Sequence, residues 1–269
     1  MVKGRVSIIV PMYNASKFLK YTVDSCLNQT YENTEIVLID DCSNDNTYSI
    51  AIEYEKNNYN IRTLKNKENK GLIKTINTAL DFISGEYVLI LGNDDILGID
   101  HLEVMVQALS SDAELSFVYC KSVLIDENGE EFGESETMDI NRNMCRIAYT
   151  NPINSCGLLM KTESLFTVGK YPVIDGCPNY GEWLLWIEML ESGKALFVDQ
   201  AKSYYRIHAN NLTKTFMDKN KIQKNYSYNL ICMDRAVKCL SFNITQKLQI
   251  EIQKLMYMIK MFYHFRIKR

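Results

Sequence analysis

No apolar run in this 269-residue chain approaches the ~18–20 residues that a membrane-spanning helix needs. No secretory leader opens it either: the apolar stretch Val6–Val10 is too short for a signal core and is closed by Pro11. These two absences predict a cytoplasmic protein. The eight cysteines (positions 26, 42, 120, 145, 156, 177, 232 and 239) form no C-x-x-C pair, which argues against a zinc site. Without an export signal, free buried thiols are expected rather than disulfides. There is no internal repeat, no low-complexity segment and no nucleic-acid recognition motif. The apolar content of 46% is ordinary for a globular chain, and the length suits one sizeable core with an appendage.

Charge is present but unevenly placed. The net charge of −3 divides into −12 over residues 1–213 (18 basic, 30 acidic) and +9 over residues 214–269 (12 basic, 3 acidic). An acidic body with a basic tail suggests an electrostatic partner for the tail and excludes nucleic acid as a partner of the body.

The most informative stretch is Leu89-Ile90-Leu91-Gly92-Asn93-Asp94-Asp95. Val88 to Leu91 reads as a strand buried on both faces, as in a parallel sheet. Asp94 and Asp95 then lie at its carboxyl end, where open α/β sheets bind ligands. Two adjacent like charges call for a cation, and a hard divalent ion bridging carboxylate and phosphate oxygens answers that need. The alternative is a solvated turn. Upstream, Val6–Val10 is a strand stopped by Pro11, and Ser16 is placed to cap a helix whose apolar face carries Phe18, Leu19, Val23 and Leu27. A second strand, Glu35–Ile39, runs into Asp40-Asp41-Cys42-Ser43-Asn44-Asp45, where the acids serve a ligand or cap the helix near Asp45. Asn69-Lys70-Gly71 precedes an amphipathic helix with Ile73, Ile76, Ala79 and Leu80. The first ~100 residues therefore predict β-α-β-α-β-α-β, a doubly wound sheet with acids at two strand ends.

Four ordered segments, VSIIVPMYN, EIVLIDDCSNDNT, NKGLIKTINTAL and GEYVLILGNDD, resemble the family-2 glycosyltransferases of the GT-A fold. The resemblance covers roughly residues 4–210. It implies an α/β, Rossmann-like, mostly parallel sheet with helices on both faces, followed here by a C-terminal helical extension. It implies a catalytic domain over 1–213, with a nucleotide-binding half to about residue 100 and an acceptor half over 101–213, and a basic amphipathic tail over 214–269. The activity implied is inverting transfer of a hexosyl or N-acetylhexosaminyl group from a nucleotide sugar, UDP-linked by expectation, to an acceptor hydroxyl in bacterial cell-surface polysaccharide or glycan synthesis. The acceptor is a glycan or a lipid-linked sugar, and the cofactor is Mn²⁺ or Mg²⁺. By position in the motifs, Asp41 reads the base, and Pro11, Tyr13 and Asn14 wall its pocket. Asp94 faces ribose or metal, and Asp95 ligates the metal; Lys70 could approach the nucleotide or be a solvated helix charge. One departure stands out. Gly92 occupies the place of a further carboxylate, so the metal has fewer protein ligands.

The same resemblance places the general base at Glu182, in Tyr180-Gly181-Glu182-Trp183-Leu184-Leu185-Trp186, with Gly181 where an acid is common. A helix N-terminus favours an ionised carboxylate, while burial against Trp183 opposes it. Glu182 could instead only complement the helix dipole. Trp183 is a candidate sugar or acceptor contact, and Trp186 is expected in the core. His208, within Tyr204-Tyr205-Arg206-Ile207-His208-Ala209-Asn210-Asn211, could complete the metal shell or be structural.

Further strands are expected over 115–125, 152–160, 195–198 and 203–207, helices over 101–109 and 181–192, a hairpin at Asn128-Gly129, a loop over 130–141, and helix from about Phe216. In the last helix Leu248, Ile252, Leu255, Ile259 and Phe262 recur at 4-3-4-3 spacing, and no acid follows Glu251. Three fates are open to this stripe: packing on the body, pairing in a homodimer, or peripheral contact with the anionic inner face of the cell membrane. Two other functions compete. A catalytically silent relative would bind a nucleotide sugar or a partner glycosyltransferase, and Gly92 and Gly181 speak for it. A sugar-nucleotide pyrophosphorylase would need a glycine- and arginine-rich loop after the first strand, which Pro11-Met12-Tyr13-Asn14 does not supply.

Overall fold

The computed structural model describes residues 1–175, 181–211 and 222–266. Strands β1 (Val2–Met12), β2 (Thr34–Asp40), β3 (Ile61–Lys65) and β4 (Gly85–Ile90) alternate with helices α1 (Leu19–Leu27), α2 (Thr47–Asn57) and α3 (Leu72–Leu80). They form the parallel half of a seven-stranded sheet. β6 (Leu115–Tyr119), β9 (Leu159–Lys161) and β10 (Lys194–Phe197) complete it in the order β10-β6-β9-β4-β1-β2-β3, with β9 antiparallel to both neighbours. A second sheet of β5 (Ile96–Leu97), β11 (Ser203–Arg206), β7 (Ser122–Ile125) and β8 (Glu131–Glu134) stands at the carboxyl side of β4.

The burial pattern explains the layering. Ile8 and Val10 point to one face and Ile9 to the other, and all three are fully buried. Alternate residues of a strand face opposite sides, so both faces of this sheet are covered. One layer holds α1, α2 and α4 (His101–Ser110), through Leu19, Val23, Ala51, Leu102 and Met105. The other holds α3, α6 (Glu182–Ser192) and α7 (Ile222–Cys239), through Ile73, Ile76, Trp186, Cys232 and Ala236. Helix α5 (Thr162–Thr167) follows β9, and α8 (Ile244–Arg266) ends the described chain.

Several expectations need correction. Pro11 lies inside β1 rather than ending it. β4 stops level with Ile9, so Pro11's absent N–H breaks no ladder bond on that side. Ser16 does not cap α1. The chain makes a turn first, with Phe18 and Leu19 N–H both donating to Ala15 O, and Phe18 takes the capping position without a side-chain bond. The apolar run 115–125 is two strands in different sheets, β6 and β7, broken at Cys120-Lys121. Only the end of 152–160 is strand, and the expected loop 130–141 contains β8 and a short 3-10 turn, Ile140–Arg142. The Asn128-Gly129 turn joins β7 to β8, with Gly129 at φ 92°. The expected boundary at residue 213 and the helix start near Phe216 lie outside the described residues. The seven described cysteines are all free.

Candidate active site

Parallel pairing of β1, β2 and β4 sets their carboxyl ends side by side, with Met12 level with Asp40 and Ile9 level with Ile90. Asp41 follows directly, its N–H donating to Met12 O (2.8 Å). Its carboxylate is buried and tied to the loop before α3. Oδ1 accepts from Lys70 N–H (2.9 Å) and Asn66 Nδ2 (2.8 Å), and Oδ2 accepts from Gly71 N–H (2.9 Å). A carboxylate has about four lone-pair sites, so one acceptor site remains for a ligand. Gly71, at φ 82°, supplies the left-handed turn that aims both amides inward. Neither Asp40 nor Asp41 caps α2: Asn46 takes the capping position without a side-chain bond, and Asp45 before it accepts from Thr47 N–H (3.0 Å). Asp40 is buried, and its carboxylate accepts from Ser43 N–H. Around Asp41, Asn14 sits at φ 49°, its N–H donating to Ser43 Oγ and its Oδ1 accepting from Asn44 N–H. Pro11 O accepts from Asn93 Nδ2 (2.9 Å), which ties the two strand ends together. Tyr13 and the Lys70 side chain are exposed beside them.

The second cluster joins β4 to β11. Asp95 is buried, and its Oδ1 accepts from Arg206 N–H (3.0 Å). Burial, then the neighbouring Asp94 charge, pushes its carboxyl well above the usual range. The Arg206 amide, the Cys156 thiol and the Arg206 guanidinium pull the other way. Asp94 Oδ2 lies 2.8 Å from His208 Nε2. Nδ1 of the same ring accepts from Asn210 N–H (3.2 Å), so the network puts the imidazole proton on Nε2, aimed at Asp94. Gly92 sits beneath both carboxylates. A Cβ there would stand 2.6 Å from Asp95 Oδ2 and 3.1 Å from Asp94 Oδ1. The missing third acid is thus replaced by space that the other two fill.

Arg206 received no role from the sequence, and it organises this cluster. It is 2% exposed. Its Nε donates to Asp94 O (3.0 Å) and its Nη1 to Asp126 O (2.9 Å), while the guanidinium lies 4.8 Å from the centre of the Phe18 ring. The only sequence signal was an arginine two residues before His208, and burial of the pair could not be read from it. Among the described residues no group of three or more His, Cys, Asp and Glu side chains converges as a metal cage. The donor chemistry of Asp94 and Asp95 nonetheless suits a hard divalent ion that takes one or two carboxylates and completes its shell from substrate phosphates, whereas both ring nitrogens of His208 are engaged, Nε2 by Asp94 and Nδ1 by Asn210 N–H, so in this arrangement His208 orients Asp94.

Glu182 opens α6, partly buried, and its Oε2 accepts from Ser155 Oγ (3.2 Å). Burial raises its proton affinity, and the Ser155 hydroxyl opposes this. Ser155 is followed by Cys156, whose thiol meets Asp95. Consecutive Cα atoms are ~3.8 Å apart, so one short turn joins the candidate base to the carboxylate pair. Gly181 is extended, and a Cβ there would stand 2.9 Å from Pro172 O. An acid at that position would have to displace the backbone of residue 172. Trp183 is the clear correction. It is 4% exposed, donates its indole N–H to Ile147 O (2.7 Å) and meets Tyr228 edge-on, so it is a core residue and offers no face to a sugar. Trp186 is fully buried against Phe117, in the core as expected.

The sequence profile described as "Glycosyl transferase family 2" matches residues 7–170. An uncharacterized glycosyltransferase of Haemophilus influenzae is 29% identical over 220 residues, 78% of this chain and 68% of that protein. The Escherichia coli UDP-Glc:alpha-D-GlcNAc-diphosphoundecaprenol beta-1,3-glucosyltransferase WfgD is 28% identical, covering 69% of this chain and 70% of its own. A similar level, 26%, relates the chain to E. coli chondroitin synthase, of which it spans 32%. Among solved structures, S. aureus TarS 1–349 in complex with UDP-GlcNAc superposes with a TM-score of 0.70 at 20% identity, covering 93% of this chain and 71% of that one. The Pyrobaculum calidifontis mannosyltransferase PcManGT, in complex with GDP-Man and Mn²⁺, superposes at 0.58 with 17% identity, covering 94% and 80%. These two share the GT-A architecture of the chain.

Proposed function

The chain belongs to glycosyl transferase family 2, and from that premise we propose that it moves a sugar from a UDP-linked donor to an acceptor hydroxyl, with inversion, in cell-surface polysaccharide synthesis. The observation that supports this reading is that Asp41 and the Asp94–Asp95 pair follow the carboxyl ends of β2 and β4, the two strands flanking β1, and that Ser155, bonded to Glu182, directly precedes Cys156, whose thiol meets Asp95. Asp41 receives the base imide N–H on its remaining acceptor site, beside Pro11, Tyr13, Asn14 and Lys70. Glu182 takes the acceptor proton as the acceptor oxygen bonds to the anomeric carbon and the bond to the diphosphate oxygen breaks. Its raised proton affinity brings it nearer the working pH of a base. Asp95 and Asp94 would hold Mn²⁺ or Mg²⁺, which would neutralise the departing diphosphate, and His208 would orient Asp94. Residues 1–213 would form the catalytic unit, working on the cytoplasmic side.

The acceptor class follows a relative. WfgD acts on a GlcNAc-diphosphoundecaprenol, which supports a lipid-linked acceptor here, and the UDP-GlcNAc complex of TarS supports a UDP donor. The test is a donor screen with Mn²⁺ across common UDP-, GDP- and TDP-sugars, scored by hydrolysis and thermal shift. UDP should raise the melting temperature with Mn²⁺ and much less with EDTA, and Asp95→Ala should remove the difference. Glu182→Gln should lose roughly two to four orders of magnitude in turnover with donor binding kept. A protein that binds donor but hydrolyses and transfers none would be the silent relative instead.

A further inference from the structure

Helix α8 is held to the body by one side only. Ile250 is fully buried, Gln246 O accepts from the Cys145 thiol, Lys254 pairs with Asp234, and Asn229 hydrogen-bonds Tyr257. With about 100° between successive residues, positions 246, 250, 254 and 257 form one face. Leu248, Ile252, Leu255 and Ile259 form the opposite one. They are 61%, 49%, 58% and 46% exposed, and Met256 and Met258 at the edges are exposed too. The body therefore does not cover the stripe, and rotating the helix to hide it would break the contacts that seat it.

We propose that this outward face of α8 docks on an anionic lipid surface. Charge is the first argument. Exposed Lys247 and Lys260 stand on opposite edges of the apolar face, where their ammonium groups can reach lipid phosphates while the stems lie along the apolar surface. The sequence of α8 itself, Ile244–Arg266, carries four basic residues and one acid, so basic charge accompanies the exposed apolar face. A wide apolar face with lysine on both flanks, here with the single acid Glu251 beside Lys247, is the pattern of a helix that lies in a membrane interface.

The width is the second argument, because it disfavours a second copy as the occupant. The 4-3-4-3 spacing puts Ile252 and Ile259 at one core position of a heptad and Leu248 and Leu255 at the other, a choice that suits paired helices. The flanking positions that set pairing hold Gln249 and Met256 on one side and Glu251 and Met258 on the other. They offer no opposite charges to match between helices, and the stripe covers only about two heptads. No helix among the described residues is long and apolar enough to cross a membrane, so the contact proposed lies along the surface.

The test is flotation of the full-length protein with vesicles of about three parts phosphatidylcholine to one part phosphatidylglycerol. The protein should float with these vesicles at low salt, be released as salt rises, and not float with phosphatidylcholine alone. The triple variant Ile252→Ser, Leu255→Ser, Ile259→Ser should weaken binding at least roughly tenfold, as should Lys247→Glu with Lys260→Glu. Both variants change exposed positions, and their circular dichroism and UDP thermal response should match the parent. Absence of flotation by the parent, or equal flotation by parent and both variants, would overturn the proposal. So would a parent that is a stable dimer by light scattering and becomes monomeric in the triple variant, since the face would then be occupied by a second copy. Vesicle binding is read without any sugar donor, so its failure leaves the transferase reading untouched, and the reverse holds.

Discussion

Gly92→Ala probes the carboxylate pair with a single methyl group. The added carbon would sit 2.6 Å from Asp95 Oδ2 and 3.2 Å from Asp95 Cγ, where ordinary contact begins at 3.4 Å. The oxygen must therefore retreat by about 0.8 Å. A free side-chain tip would simply swing away. Asp95 cannot do so cheaply, because it is 4% exposed and its other oxygen is bound to Arg206 N–H at 3.0 Å. The cost has two parts. Overpacking a filled site costs roughly 1–3 kcal/mol, and stretching a buried hydrogen bond forfeits part of its ~0.5–1.5 kcal/mol. Replacing a glycine that lies outside the left-handed region returns ~0.4–1 kcal/mol through the unfolded chain. A net loss of about 1–3 kcal/mol follows, or a melting temperature lower by about 2–4 °C for each kcal/mol in a chain of this size. Thermal unfolding in EDTA measures this directly. The same variant, titrated with UDP and Mn²⁺, should show a weakened thermal response, because the displaced oxygen belongs to the proposed metal ligand. Equal stability and an unchanged UDP–Mn²⁺ response in Gly92→Ala would refute the claim that Gly92 exists to admit Asp95.

Arg206→Met should cost about 2–4 kcal/mol in urea unfolding, since the 2% exposed guanidinium is the donor to both Asp94 O and Asp126 O; a loss under 1 kcal/mol would mean that the network is ornamental. Ser155→Ala removes the hydroxyl that favours ionised Glu182. A base must be unprotonated to act, so the acid limb of the pH–rate profile should move to higher pH, with little change on the alkaline side. A third expectation concerns His101, fully buried with Nδ1 2.8 Å from Lys202 O and Nε2 2.7 Å from Gly157 O. Burial lowers its proton affinity more than the two carbonyls and Asp100 restore it. The unfolded chain then binds a proton that the folded one resists, so stability should be fully present above pH 6.5 and fall as pH drops below it. Melting temperatures measured down the pH scale should show that slope, and His101→Gln should flatten it.

The sequence by itself determined the alternation of the first hundred residues and the acids at the ends of β2 and β4, because both are local. Continuous apolar runs such as Ile36–Ile39 can only be buried strands between helices, and the side chain that follows such a strand must leave at the sheet's edge. Asp41, Asp94 and Asp95 were legible for that reason, and so was the helix beginning at Glu182. Partnership was decided by the tertiary structure. Arg206 reaches Asp94 and Asp95 across more than a hundred residues of chain, through the pairing of β11 between β5 and β7, which no periodicity encodes. Trp183 was drawn into the core by Ile147 and Tyr228, two residues distant in sequence whose positions depend on α7 and on the turn before residue 150. The apolar run 115–125 satisfied one long strand as well as two, and only the competition of two sheets broke it at Cys120. The stripe of α8 was visible as a spacing, but spacing cannot say which face of a helix the body will take. Ile250 won that contact and left Leu248, Ile252, Leu255 and Ile259 on the outside.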